Sequence, residues 1–162
     1  MATTLPTKKA ESIFDELNRM HDQIVRRAQE IFEWSGGSPG RELEDWLQAE
    51  RELVWRPPIE LIEKDNEFYL QITVPGVDPK DIAIEVTPED ILVRAELKHA
   101  HDESKGTVHV CEFSSGSMFR AVHLPRKIDP DKVKAEFRDG MLNVKAAVAE
   151  ESRIKKVKVE AA

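Results

Sequence analysis

The chain has 162 residues and a formal net charge of −7, with 40% hydrophobic, 34% charged and 6% aromatic residues. That balance excludes a disordered, collagen-like or membrane-spanning chain and fits one globular domain with some extra material. No segment forms the basic patch that phosphates require, so nucleic acid is not an expected partner. A single cysteine, Cys111, makes an internal disulfide impossible.

The first residues, "MATTLPTKKAES", lack an apolar core of signal-peptide length. No later run is long enough to cross a bilayer, so a cytoplasmic location without membrane contact is expected. Residues 1–56 read as a helical region. From Ser12 onward, Ile13, Phe14, Leu17, Met20, Ile24, Val25, Ala28, Ile31 and Phe32 fall on one helical face. Ser12 with Asp15 resembles a capping box. "SGGSPG" (35–40) then breaks the helix, and Ser38 followed by Pro39 signals the start of another. Leu43, Trp46, Leu47, Leu53 and Val54 form its apolar stripe, and "RPP" (56–58) ends it, because proline cannot continue a helix. Two stripes of this kind either bury each other in a helical hairpin or leave an adhesive arm; the periodicity favours the hairpin.

At residue 57 the period changes. Phe68, Leu70, Ile72 and Val74 alternate with polar neighbours, as do Ile82, Ile84 and Val86, then Ile91, Val93, Ala95 and Leu97. Val133, Ala135 and Phe137, then Leu142, Val144 and Ala146, continue the pattern. Period two predicts strands with one wet and one buried face. "PGVDP" (75–79) turns the chain, and Asp139-Gly140 within "RDGM" is a strong hairpin signal because glycine accepts positive φ. Successive strands without helical crossovers predict an antiparallel, immunoglobulin-like β-sandwich over 57–148, with about seven to nine short strands.

Between Lys98 and Ser117 the connection is too long for a hairpin loop. Inside it, Thr107, Val108, His109, Val110, Cys111, Glu112 and Phe113 have strand character. A strand with no place in its own sheet can add to a sheet edge of another subunit; the plainer alternative is a protruding hairpin arm. Residues 149–162 form a short polar extension in which Val157 and Val159 flank Lys158 and point the same way if the chain is extended.

Taken together, these parts resemble the small heat shock proteins, the α-crystallin family, over roughly residues 57–159. "FRAVHLP" (119–125) with its Leu124-Pro125 stop, "AEFRDGML" (135–142) and "VPGVDPKDI" (74–82) carry the resemblance by their order and spacing. The resemblance implies an α-crystallin domain flanked by a helical N-terminal region and an extended tail. It also implies a homo-oligomer built from dimers. Dimers would form by exchange of the 107–113 strand. Oligomers would form by docking of the Val157-x-Val159 motif in a groove between strands 82–86 and 133–137, lined by Ile82, Ile84, Val133 and Ala135. Both branched tail residues are valine where the family pattern is Ile-x-Ile/Val. Residues 26–53 are similar to a small bacterial helical module of unknown function.

Other chemistry is weakly signalled. His99, His101, His109 and Cys111 are soft ligands at two-residue spacings, but their hydrophilic surroundings favour solvated histidines, and no metal or other cofactor is expected. Cys111 with His109 or His123 lacks an orienting carboxylate or oxyanion hole, so no catalytic residues are expected. There is no G-x-x-x-x-G-K-[ST] loop to cradle ATP. The function expected is an ATP-independent holdase chaperone. Phe14, Leu17, Ile24, Ile31, Phe32, Trp34, Trp46 and Trp55 would cover apolar surface on unfolding client proteins. The alternative is a monomeric co-chaperone-like sandwich that binds one folded partner; it would need neither the exchange strand nor the tail motif.

Overall fold

The computed structural model of the chain describes residues 1–10, 14–113 and 115–153. Its strands are β1 (Thr3–Leu5), β2 (Lys8–Lys9), β3 (Val54–Trp55), β4 (Ile59–Lys64), β5 (Glu67–Thr73), β6 (Ile82–Val86), β7 (Asp90–Leu97), β8 (Gly116–His123), β9 (Ile128–Arg138) and β10 (Met141–Val148). They form two five-stranded sheets, ordered β1-β9-β10-β5-β4 and β2-β6-β7-β8-β3. Pairings are antiparallel except for the two-residue strips β2 and β3, which run parallel to β6 and β8. Strands β4 to β10 make the sandwich expected from the alternation; β1, β2 and β3 are supplied by residues that precede it.

The alternating residues meet across the strands as the period requires. Leu142 lies opposite Phe137, Val144 opposite Ala135, and Ala146 opposite Val133. One cluster fills the space between the sheets, with Phe68, Leu70, Ile72, Ile91, Met118, Ile128 and Leu142 at its centre. The β9–β10 turn places Asp139 and Gly140 at φ 51° and 78°, both left-handed, as a tight hairpin demands. Asp65 and Asn66 make the same kind of turn between β4 and β5, at φ 52° and 59°. Both residue types tolerate that conformation because their short polar side chains bond locally.

The helical region is a hairpin of α1 (Phe14–Trp34) and α2 (Glu42–Leu53). Ile24, Ile31 and Ala49 are buried between the helices, with Met20, Ala28, Trp46, Leu53 and Val54 packed around them. Ser12, the expected cap, lies outside the described residues. Two boundaries differ from expectation. The second helix starts at Glu42 rather than after Ser38, because Gly40 takes φ 92° and no helical run can pass through it. It ends at Leu53, before the prolines, because Val54 and Trp55 pair with Ser117 and Met118 at the edge of the second sheet.

Candidate functional site

A sandwich exposes its chemistry at its edges, where backbone N–H and C=O groups await partners. At one edge, β6 and β9 lie in different sheets. Ile82, Ile84 and Ala135 point inward and are buried, and Val133 packs on the same core half-exposed. These four are the expected groove residues. The structure covers their strands with the chain's own N-terminus. Thr3, Thr4 and Leu5 pair antiparallel with Phe137, Glu136 and Ala135. Lys8 and Lys9 pair in parallel with Glu85 and Val86, and the Ala10 N–H donates to the Val86 carbonyl at 2.9 Å. Residues 3–9 thus cross from one sheet to the other. Pro6, which has no N–H to satisfy, sits in the crossing. Leu5 is 7% exposed and joins the sandwich core, and Lys9 forms an ion pair with Asp131. Nothing in the periodicity of the sequence marks this strip.

The opposite edge of the first sheet is β4, which among the described residues has β5 on one side and no strand on the other. Ile62 on it is 48% exposed.

The excursion leaves β7 at Leu97 and returns at Gly116, its pairing partner. Ser115 closes the neck: its hydroxyl accepts from the His99 N–H at 3.0 Å and donates to the His99 carbonyl at 3.2 Å. Asp102 accepts from the Ser104 hydroxyl and N–H, which holds its carboxyl below the usual range. The segment 107–113, expected as a strand, runs irregularly in the single chain. The reason is physical: β7 already has β6 on one side and β8 on the other, so no edge is open beside it. Val108, Val110 and Phe113 are 53%, 81% and 78% exposed. Thr107, His109, Cys111 and Glu112 are also exposed. His99, His101 and Cys111 come together within this loop, and His109 does not join them.

The aromatic and aliphatic residues expected to meet clients divide into three groups. Ile24 and Ile31 are inside the hairpin, and Trp46 packs half-buried on it, its ring 5.1 Å from that of His21. Trp55 packs on the sandwich core. Leu17 and Phe32 are half-buried, while Trp34 is 96% exposed at the end of α1. Phe14 opens α1, and its side chain lies outside the described residues. Leu43, 70% exposed, and Leu47, 41% exposed, add apolar surface on α2 that the stripe argument assigned to the inside.

The tail motif, Val157 and Val159, lies outside the described residues. The point from which the tail departs is held by Arg126. Its guanidinium donates to the Ser152 carbonyl at 2.8 Å, to Asn66 Oδ1 at 3.4 Å and to Glu63. Arg153 donates to the Val148 carbonyl at 3.4 Å. No helix is long and apolar enough to cross a membrane among the described residues.

Comparison with known proteins follows the same division. Residues 60–160 match the model of the Hsp20/alpha crystallin family, and residues 19–54 match one described as "Protein of unknown function (DUF2934)". The chain is similar to small heat shock protein C4 of Rickettsia felis, 27% identical over 103 residues. That match covers 64% of this chain and 63% of the relative, so the chain spans a little under two thirds of that protein's length. Among solved structures, it resembles heat shock protein 16.0 from Schizosaccharomyces pombe at 25% identity and a TM-score of 0.55, covering 66% of this chain and 99% of that one. It also resembles a small heat-shock protein from Xylella fastidiosa, again at 25% identity, with a TM-score of 0.50 and coverage of 66% and 98%. With its sandwich topology and a family match spanning most of its length, the chain belongs to the Hsp20/alpha crystallin family.

Proposed function

We propose that this protein is an ATP-independent holdase chaperone that works as an oligomer of dimers. The observation that carries the proposal is apolar surface presented outside a closed core: Trp34, Leu43, Val110 and Phe113 are each at least 70% exposed, while the sandwich interior is full. Such surface covers the apolar patches of an unfolding client, because hydrophobic burial is what drives that client to aggregate. Negative charge on the sandwich keeps the complex in solution. The expected result is suppression of aggregation of a heated model client without nucleotide. Replacing Trp34 and Leu43 together by serine should lower it several-fold while the sandwich keeps its unfolding midpoint. Undiminished suppression would remove the hairpin from the client surface.

The open edges support a particular assembly route. Strand β4 is the long edge left open, and segment 107–113 is the unpaired stretch with strand character. Pairing of 107–113 from one copy with β4 of a second makes a reciprocal dimer of the kind a two-fold axis requires. Tail docking then joins dimers. Val157 lies nine residues beyond Val148, enough for roughly 30 Å of extended chain. Burying Leu5 gains about 1.5–3 kcal/mol, and burying two valines gains a similar amount each. The tail buries two such side chains to the strip's one, but its docking also bears the cost of association, so the strip 3–9 and a neighbour's tail are rivals for the β6–β9 groove. Val157→Ala with Val159→Ala should shift the oligomer toward dimers in sedimentation velocity without moving the sandwich's unfolding midpoint. If the double variant sediments like its parent, assembly runs through another surface. A Xylella fastidiosa protein of similar fold is described as having a distinct high order structure, which supports an assembly of this general kind.

A further inference from the structure

We infer that His99, His101 and Cys111 form a binding site for a borderline-soft metal ion, Zn²⁺ being the one that fits best. The two histidines follow β7 with one residue between them, and the loop returns Cys111 to meet them. Cys111 Sγ lies 3.3 Å from His99 Nε2, and one ligand atom from each of the three residues lies within 4.8 Å of the others. Around a tetrahedral zinc ion, with Zn–N about 2.0–2.1 Å and Zn–S about 2.3 Å, ligand atoms are spaced by about 3.3–3.6 Å. The His99–Cys111 pair already has that spacing, and His101 needs to close by about 1 Å. The His99 and His101 rings meet edge to face with centroids 4.9 Å apart, which leaves a side-chain rotation to bring His101 in.

The surroundings favour an ordered ligand. Ser115 fixes the His99 backbone at both its N–H and its carbonyl, and the Phe113 ring packs 5.1 Å from the imidazole. A thiolate with two imidazoles selects zinc or cuprous ions over magnesium and calcium, which take oxygen ligands. As the Zn–S bond forms, the Cys111 thiol gives its proton to the buffer and both imidazoles bind neutral. The fourth position is left to water.

Binding has a consequence that rests on the reading of 107–113 as the exchange segment. Cys111 lies within that segment, and the metal ties it to the end of its own β7. Zinc therefore holds the segment in its own chain and slows its transfer to a neighbour.

The test uses the reduced, full-length protein. Co²⁺ should produce a thiolate-to-cobalt charge-transfer band in the near ultraviolet, saturating at one ion per chain, and Zn²⁺ should displace it. Cys111→Ser should abolish the band, and His99→Ala and His101→Ala should each weaken zinc binding by more than about tenfold, at least the loss that follows removal of an outer-shell partner. His109→Ala should change nothing. Absence of the band, or a band that survives His99→Ala with His101→Ala, overturns the site. Exchange between two fluorescently labelled pools, with and without zinc, reads the consequence separately. An unchanged exchange rate in a protein that shows the cobalt band removes the control of exchange and leaves the site standing. Aggregation suppression, measured alongside, tests the chaperone reading independently of both.

Discussion

The sandwich buries 21 apolar residues in one cluster, whereas the helical hairpin buries three apolar residues among the described ones. Both are built by apolar burial, but their geometry uses it differently. Two sheets cover each other's inner faces completely, and each strand contributes every second residue to the interior. Two helices cover only the stripe along which they touch, so Trp34, Leu43, Leu47 and Val25 stay outside. Stability is therefore concentrated in one region and adhesive surface in the other. The region with fewest buried contacts is also the one that opens most readily, which suits the client-binding role proposed for it.

The largest expected effect tests this contrast directly. Ile72 is fully buried in β5, and Ile72→Ala should cost about 2–5 kcal/mol and lower the midpoint of global unfolding. Ile24→Ala, at the centre of the hairpin, should leave that midpoint nearly unchanged and instead raise amide exchange over residues 14–53. A common loss of stability from both variants would mean that the hairpin and the sandwich unfold as one unit.

A smaller effect is expected at the strip. Leu5→Ala removes the one buried side chain of residues 3–9, at a cost of about 2 kcal/mol. Amide protection at Ala10 should fall by more than tenfold and protection in β5 and β10 should hold; if tails dock in this groove as proposed, the assembly should gain mass. A variant of unchanged mass would show that the strip and the tail do not compete.

The hairpin also contains a conflict. Asp45 in the first turn of α2 is 1% exposed, and neither carboxylate oxygen has a hydrogen-bond partner among the described residues. Replacing an unpartnered buried polar group by a small apolar one relieves its desolvation, so Asp45→Ala should stabilise the hairpin by about 1 kcal/mol. The gain should appear as slower exchange in α1 and α2 with no change in the sandwich. A loss would mean that the carboxylate is satisfied in solution.

The smallest effect is the response to acid. Gln48 and Arg27 hydrogen-bond Glu52 and hold its carboxyl below its ordinary value of 4.5. The folded hairpin therefore binds this proton less readily than the unfolded chain. The contribution is complete above the ordinary range and disappears as pH falls through the lowered folded value. Arg27 and Glu52 are both more than a third exposed, so screening keeps the contribution of the pair small. Hairpin protection should decline on going below about pH 4.5, and Glu52→Gln should flatten that decline. An equal decline in the variant would assign the acid response to other carboxylates.

Much of this was legible in the sequence, and the exceptions have a common cause. The period-two runs located the central strands, and Asp139-Gly140 located a turn, because local pattern alone determines both. The apolar stripe of α1 placed Ile24 and Ile31 on one face, but a stripe does not say whether that face meets a second helix or a client. Asp65-Asn66 was available as a turn signal of the same kind as Asp139-Gly140. The strip at 3–9 gave no signal: three residues and two residues are too few to show a period, and their partners lie in distant parts of the chain. The meeting of Cys111 with His99 was hidden for a similar reason, since the path of an irregular loop brings them together rather than their spacing. Segment 107–113 has strand character without a strand, because β7, the strand it leaves, already has a neighbour on each side.

The strip also fixes an order of events in the life of the chain. Residues 3–9 leave the ribosome before their partners in β6 and β9, and Leu5 must wait for Ala135. Contacts this far apart in sequence form late, after the closure of the intervening chain has been offset by nearer contacts. Each new molecule therefore passes through an interval in which the sandwich is formed and its groove is bare. If tails dock in that groove as proposed, a chain made beside finished neighbours meets their tails during that interval, before its own residues 3–9 can seat. Subunits recruited during synthesis and subunits mixed after folding should enter assemblies at different rates, and the difference should vanish when residues 2–10 are removed.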